Sequence, residues 1–179
     1  ACCVRSWKKF SHKKGDSVAI FGVGPTGMMH IMLAKEYGFD KIFCLDINDF
    51  RLDFAKKFQI TMAQNSKDSS NKEKILKETE NRGVDVAIVA TGSLKALDDA
   101  IEFVRKGGSI IMFGVPSKGA TLNVDMSKVY SKEITITTSY AASDYDTKEA
   151  LELIKSSRAD VASLITHKYS ILETQKAFE

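Results

Sequence analysis

Three glycines, spaced Gly22-x-Gly24-x-x-Gly27, stand between an apolar run at 18–21 and a helix-like stretch at 28–37. Each glycine would serve the binding of a dinucleotide in a different way. Gly22 permits a tight turn, Gly24 lets a pyrophosphate approach the backbone, and Gly27 lets the helix pack closely on the strand. The N-terminus of that helix offers unpaired N–H groups and a partial positive charge to phosphates. The spacing, in its strand–helix context, therefore predicts a pyrophosphate-binding loop.

An acidic residue follows the next apolar run, at 42–45. Asp46 lies 19 residues after Gly27, close to the ~20 expected for a carboxylate that hydrogen-bonds the 2′-hydroxyl of an adenine ribose. The same carboxylate would repel a 2′-phosphate, so the sequence predicts NAD rather than NADP. We expect Arg51 to lie along the adenosine or to pair with Asp46. The alternative interpretation is a tight turn without a ligand, followed by a solvated carboxylate.

Three other protein classes that share a glycine-rich loop fit less well. Many methyltransferases have a glycine two residues after the second loop glycine, where this chain has Thr26. Short-chain dehydrogenases have a Tyr-x-x-x-Lys pair late in the chain, but Tyr37 and Lys41 come directly after the first helix of the loop. Flavoproteins remain open, although they usually carry Glu in place of Asp46.

Strand-like and helix-like segments alternate around these residues. Apolar or β-branched runs predict strands at 18–21, 42–45, 61–65, 86–90, 110–113, 134–138 and a short one at 164–170. Helical patterns cover 1–14, 28–37, 49–58, 69–81, 94–105, 146–157 and the stretch from Leu172 onward. Continuous apolar runs are typical of strands that are covered on both faces. The order predicts an α/β fold: a doubly wound parallel sheet (Rossmann fold) of about six strands with helices on both faces.

Composition excludes several classes of protein. The net charge of +3, from 26 basic and 23 acidic residues, is too small to indicate nucleic-acid binding. The longest apolar runs are far shorter than a membrane span, so we expect neither a nucleic-acid nor a membrane partner. Three cysteines without a paired spacing argue against a disulfide scaffold and for a reducing, cytoplasmic location.

Further segments, in a fixed order along the chain, carry a resemblance to a known family. They lie at 1–7, 15–27, 45–48 with Arg51, 84–92, 107–109, 113–116 and 164–167. Together they make the chain similar to the coenzyme-binding domain of the zinc-dependent medium-chain dehydrogenases, in the sorbitol, threonine and alcohol dehydrogenase group.

The resemblance implies where the cofactor NAD would bind. The residues that would hold its pyrophosphate are Gly22, Gly24, Pro25, Thr26 and Gly27. Those that would hold the adenosine are Asp46, Ile47 and Arg51. Thr91 and Gly92 would lie beside the cofactor, and Gly114 and Val115 would reach the nicotinamide.

Members of this family hold catalytic zinc through Cys, His and often Glu side chains, mostly from a separate N-terminal domain. Here Cys2 and Cys3 are adjacent, so their side chains diverge, and the three histidines stand alone. We therefore assign no catalytic and no metal-binding residue, and expect zinc only in a missing N-terminal catalytic domain. The chain starts at Ala1 without Met and ends within a helical pattern, as expected for a piece of a longer protein.

The resemblance predicts one dinucleotide-binding domain over residues 1–179. It comprises a leading helix at 1–14, a Rossmann core at 15–140, and at 141–179 a trailing helix with the start of a return to the missing domain. The expected function is NAD(H) binding in a zinc-dependent dehydrogenase that transfers hydride between nicotinamide and a secondary alcohol, the isolated chain being inactive.

The expected partners are a small-molecule alcohol substrate and further copies of the chain. The copies would form a homo-dimer or homo-tetramer, paired edge to edge through residues 122–140. The alternative function is an NAD(H)-sensing regulatory domain without catalysis.

Overall fold

The structure, a computed structural model, describes residues 1–178. Six strands form one sheet: β1 (Ser17–Phe21), β2 (Lys41–Asp46), β3 (Met62–Asn65), β4 (Val84–Val89), β5 (Val104–Met112) and β6 (Thr135–Thr138). The helices are α1 (Cys2–Trp7), α2 (Pro25–Glu36), α3 (Asp49–Lys56), α4 (Asn71–Glu78), α5 (Leu94–Phe103), α6 (Met126–Ser131), α7 (Asp144–Lys155) and α8 (Thr174–Phe178). Two 3₁₀ turns, Val161–Leu164 and Ile171–Glu173, lie between α7 and α8.

The strands stand in the order β3-β2-β1-β4-β5-β6, and every neighbouring pair is parallel. The predicted α/β fold with a doubly wound parallel sheet of six strands is therefore confirmed. The strand order reverses between β1 and β4, so the loops after these two strands diverge and leave a crevice. In open α/β sheets, a crevice at the carboxyl ends of the strands where the order reverses is the usual place for a ligand.

Alternate residues of β1 belong to two different hydrophobic cores. Val18 and Ile20 pack with α2 on one face of the sheet, whereas Ala19 and Phe21 pack with α5 on the other. All five residues of β1 are buried. The strand is thus covered on both faces, which explains why its sequence is a continuous apolar run rather than an alternating one.

β6 forms one of the two outer edges of the sheet, and its Ile136 is 40% exposed. Across residues 1–178, no helix combines the length and the hydropathy that crossing a membrane would require.

The leading helix is shorter than predicted. α1 ends at Trp7 instead of continuing to residue 14, because the chain after it turns to complete an aromatic cluster. The ring centroid of Trp7 lies 5.4 Å from that of Phe10, 5.6 Å from that of His12 and 5.1 Å from that of Phe39. The backbone after Trp7 leaves the helix in the arrangement that places these side chains around the indole.

Two further elements differ from the prediction. α5 ends at Phe103 and β5 begins at Val104. A Cβ on Gly108 would lie 2.5 Å from Cγ2 of Val104, in the part of β5 where the pairing with β4 shifts register between Val104 and Ser109. The strand predicted at 164–170 is wrong. The sheet of the described chain ends at β6, and residues 165–170, which follow the 3₁₀ turn Val161–Leu164, have no regular secondary structure.

A buried carboxylate connects β1, β4 and β5 at the amino ends of the strands, opposite the crevice. Asp85, 6% exposed, accepts hydrogen bonds on Oδ2 from the backbone N–H and the hydroxyl of Ser17, at 2.8 and 2.7 Å. Its Oδ1 accepts a hydrogen bond from Nε of Arg105 at 2.6 Å. Burial pushes the pKa of Asp85 upward, but the hydrogen bonds from Arg105 and Ser17 outweigh burial and hold the pKa below its ordinary value.

This network predicts a stability loss that depends on pH. Asp85→Asn should lower the free energy of unfolding by about 2 kcal/mol at pH 7, because a buried charged pair loses one partner. The difference should shrink below about pH 4, since a carboxyl with a lowered folded pKa loses its stabilising effect as it becomes protonated. Urea unfolding at both pH values measures this. The exposed Asp53→Asn is the control, expected within about 0.5 kcal/mol of the unsubstituted chain. An equal loss for both variants, or a pH-independent loss, would contradict the account.

Candidate functional site

The loop after β1 is shaped by a contact between two glycines. Gly22 has a φ of +88°, in the left-handed region that favours glycine. A Cβ on Gly27 would lie 2.0 Å from the carbonyl oxygen of Gly22. Any side chain at Gly27 would therefore push α2 away from the end of β1, so both glycines are required by the packing of the chain on itself.

Gly24 lies between them and is needed for a different reason. Its φ of −66° suits any residue, and the nearest atom to a Cβ there would be Nη1 of Arg51, at 3.8 Å. The space over Gly24 is thus left open by the protein's own packing. Pro25 and Thr26, both exposed, begin α2 beside it. Since the first N–H groups of a helix have no intrahelical partner, a pyrophosphate fits this open position.

Asp46 ends β2 with its carboxylate held by two backbone amides. The N–H of Val23 donates to Oδ2 at 2.7 Å, and the N–H of Asn48 donates to Oδ1 at 2.9 Å. Nη1 of Arg51 lies 3.8 Å from Oδ2, so Arg51 does pair with Asp46, one of the two arrangements expected from the sequence. Although Asp46 is only 5% exposed, it lines the crevice, and each oxygen can accept a further hydrogen bond. The hydroxyls of a ribose fit this carboxylate.

A cleft of about 820 Å³ opens at the carboxyl ends of β1, β2 and β4, within the usual size of a small-molecule site. Six of the residues predicted for the cofactor line it together: Gly22, Gly24, Asp46, Ile47, Arg51 and Thr91. Six others do not belong to its lining: Pro25, Thr26, Gly27, Gly92, Gly114 and Val115. The apolar part of its wall comes from Phe21, Leu45 and Phe103.

The outer wall of the cleft was not anticipated from the sequence. It comes from the loop after β3 together with the start of α4, between residues 66 and 72, and from the polar face of α5. Glu102 of α5 carries an ion pair to Lys72 at 2.8 Å, and hydrogen bonds from Lys128 and Lys72 lower the pKa of Glu102 to about 2. The signal that could have found the loop is positional, because the segment after every parallel strand emerges at the same edge of the sheet.

Gly92 and Gly114 join the ends of β4 and β5 backbone to backbone. A Cβ on Gly92 would lie 2.5 Å from the carbonyl oxygen of Val115, and one on Gly114 would lie 2.3 Å from the carbonyl carbon of Thr91. The N–H of Gly114 also donates to the carbonyl oxygen of Val89 at 2.8 Å. Val115 itself is 75% exposed. The structure thus gives both glycines a packing role and leaves Val115 free at the surface.

The described residues do not fit a zinc site. Within residues 1–178, no group of three or more His, Cys, Asp or Glu side chains is placed to hold a metal ion. Burial raises the pKa of the Cys3 thiol to about 11 and raises that of Cys44 as well. Zinc binds the thiolate, so thiols that stay protonated are poor ligands.

Comparison with known proteins agrees with this architecture. A family model described as zinc-binding dehydrogenase matches residues 25–156. L-threonine 3-dehydrogenase of Marinomonas sp. (strain MWYL1) is 32% identical over 92% of this chain and 48% of its own length. Sorbitol dehydrogenase of Bacillus subtilis (strain 168) is 35% identical over 92% of this chain and 46% of its own length.

A solved structure, alcohol dehydrogenase TADH from Thermus sp. ATN1, superimposes with a TM-score of 0.89 at 25% identity. That superposition covers 99% of this chain and 51% of the other. The chain therefore spans about half the length of the relatives it matches.

The sheet order, the glycine loop and the acidic residue at the end of β2 define a Rossmann-type domain. The chain belongs to the zinc-binding dehydrogenase family, since the family model matches more than half of its residues. The resemblance inferred from the sequence is confirmed.

The two helix-side glycines should respond differently to the same added methyl group. Gly27→Ala should lower the free energy of unfolding by about 3 kcal/mol, because its Cβ meets a backbone oxygen that cannot move away cheaply. Gly24→Ala, with open space and an ordinary φ, should change that free energy by less than about 1 kcal/mol. Urea unfolding of the two variants provides the test. Equal losses, or a larger loss for Gly24→Ala, would show that the close contact at Gly27 does not hold.

Proposed function

We propose that this chain is the NAD(H)-binding domain of a zinc-dependent dehydrogenase that acts on a secondary alcohol, a polyol or a hydroxy-amino acid. The observation that carries the proposal is the Asp46 carboxylate, locked by the amides of Val23 and Asn48 beside the open space over Gly24. A carboxylate fixed beside a helix N-terminus offers a group that can accept from ribose hydroxyls next to a group that can bind phosphate.

The proposed layout follows the strand order across the sheet. The pyrophosphate would lie over β1 on Gly22, Gly24, Pro25, Thr26 and Gly27, and the adenosine would lie over β2 on Asp46, Ile47 and Arg51. The nicotinamide half would extend over β4 and β5, beside Thr91, Gly92, Gly114 and Val115. The continuous cleft from Gly22 to Thr91 supports the first part of this path.

The choice of NAD over NADP rests on charge. A 2′-phosphate on the adenine ribose would bring negative charge close to the Asp46 carboxylate. The carboxylate cannot easily turn away, because a backbone N–H group donates to each of its two oxygens. Arg51 could offset this repulsion only in part, because its guanidinium is already paired with the same carboxylate at 3.8 Å. A ribose hydroxyl instead donates to the carboxylate and meets no such repulsion.

The chemistry of the bound cofactor would come from the cofactor itself. When bound, NAD supplies the hydride acceptor, C4 of the nicotinamide. The residues of this chain bind and orient: α2 anchors the pyrophosphate, Asp46 fixes the adenosine, and the ends of β4 and β5 set the position of the nicotinamide. No step is assigned to a metal, because residues 1–178 do not fit a zinc site. The alcohol substrates named for the matched relatives, L-threonine and sorbitol, support the proposed substrate class.

We further propose that residues 1–179 act as one dinucleotide-binding domain, with residues 15–140 as its Rossmann core. The exposed edge of β6 supports a homo-dimer or homo-tetramer formed through residues 122–140.

The thiols of Cys2, Cys3 and Cys44 are free, which supports a cytoplasmic location. Among residues 1–178, no specific contact favours the regulatory, NAD-sensing alternative.

Asp46 provides the direct test of cofactor choice. Asp46→Asn should weaken NAD binding by about 10- to 100-fold, because hydroxyl bonds to a charged acceptor are replaced by bonds to a neutral one. Binding of NADP should weaken less or improve, since the repulsion of a 2′-phosphate is removed. Titration calorimetry with both dinucleotides gives the two dissociation constants. Asp53→Asn, an exposed aspartate of α3, is the matched control and should leave both unchanged. NADP binding to the unsubstituted chain as tight as NAD binding would refute this role of Asp46.

A further inference from the structure

A histidine in the middle of α2 is completely enclosed by the fold. His30 is fully buried, and the indole N–H of Trp7 in α1 donates to its Nδ1 at 3.0 Å. The ring of Phe113, just after β5, stands at 85° to the imidazole with 4.6 Å between the ring centroids. His30 thus joins α2 to α1 through a hydrogen bond and to the end of β5 through a ring contact.

The hydrogen bond from Trp7 determines the state of the imidazole. Because Nδ1 of His30 accepts a hydrogen bond, the neutral ring carries its hydrogen on Nε2. Burial lowers the pKa of His30 to about 3, so the ring stays neutral around neutral pH. Nε2 is also buried and has no hydrogen-bond partner among the described residues. A perpendicular aromatic ring is a known weak partner for such an N–H group.

Phe113 connects this histidine to the cleft side of the sheet. The N–H groups of Phe113 and Gly114 both donate to the carbonyl oxygen of Val89, at 3.0 and 2.8 Å. Gly114 in turn lies against the backbone of Thr91, where a Cβ would come within 2.3 Å. A shift of the Phe113 ring would therefore move the backbone of the loop after β5 relative to the loop after β4.

We propose that His30 is a positioning residue for the nicotinamide half of the cofactor. Its imidazole, oriented by Trp7, holds Phe113 and so fixes the backbone at Gly114 and Val115. This inference rests on the proposed function, in which the nicotinamide half lies over β4 and β5. The adenosine half lies over β2, where Asp46 is held by other contacts, so its binding does not depend on His30.

The separation of the two halves gives a test that a purely structural role of His30 would not pass. NADH carries the nicotinamide ring and ADP-ribose lacks it, while both contain the adenosine, the pyrophosphate and the second ribose. His30→Phe keeps a ring of similar size but removes the acceptor for Trp7. It should weaken NADH binding by about 3- to 10-fold, the effect of losing the one hydrogen bond that orients the ring, while ADP-ribose binding changes less than about twofold.

The experiment measures the dissociation constants of NADH and ADP-ribose for the 179-residue chain by titration calorimetry. Trp7→Phe removes the donor and should change the ratio of the two constants in the same direction, which keeps the test valid if His30→Phe does not fold. Ile31→Val, a neighbouring buried residue of α2, is the control and should leave the ratio unchanged. An unchanged ratio in the folded His30 or Trp7 variant would overturn the positioning role. Failure of the unsubstituted chain to bind either ligand would instead overturn the proposed function.

Discussion

The close approach of α2 to the end of β1 is the constraint on which the rest of the site depends. A single added carbon at Gly27 would lie 2.0 Å from the carbonyl oxygen of Gly22. This contact fixes where the helix begins, and thereby the direction in which its first N–H groups point. It also brings the amide of Val23 within 2.7 Å of the Asp46 carboxylate. One turn thus joins the start of α2, where we propose that the pyrophosphate binds, to the end of β2, where we propose that the ribose binds.

Buried carboxylates at the two ends of the strands have different hydrogen-bond partners. At the amino ends of the strands, Asp85 is fully engaged by Ser17 and Arg105, which suits a structural role. At the carboxyl ends, each Asp46 oxygen accepts one backbone amide and keeps capacity for a ligand. The crevice opens at the carboxyl ends, so the same residue type at opposite ends of the two strands that flank β1 serves stability in one place and, in the proposed site, binding in the other.

Much of the fold could be predicted because it depends on local patterns. Continuous apolar runs indicated the central strands, and the glycine spacing with Asp46 indicated the part of the cleft over β1 and β2. The outer wall between residues 66 and 72, and the burial of His30 against Trp7 and Phe113, depend on which distant segments meet, and no spacing reports that. The leading helix was predicted too long for the same reason, since a tertiary aromatic cluster overrides the helical pattern after Trp7. The incorrect strand at 164–170 had the composition of a strand but no neighbour to pair with in the described chain.

The central claim is that a dinucleotide lies across the strand reversal with its adenine ribose on Asp46. A crystal structure of the chain with NAD tests it most directly. The account predicts ribose hydroxyls within hydrogen-bond distance of the Asp46 carboxylate, the pyrophosphate over Gly24 at the start of α2, and the nicotinamide half beside Gly114. Density for NAD elsewhere on the molecule, or for a reversed molecule with its nicotinamide ribose on Asp46, would contradict the account.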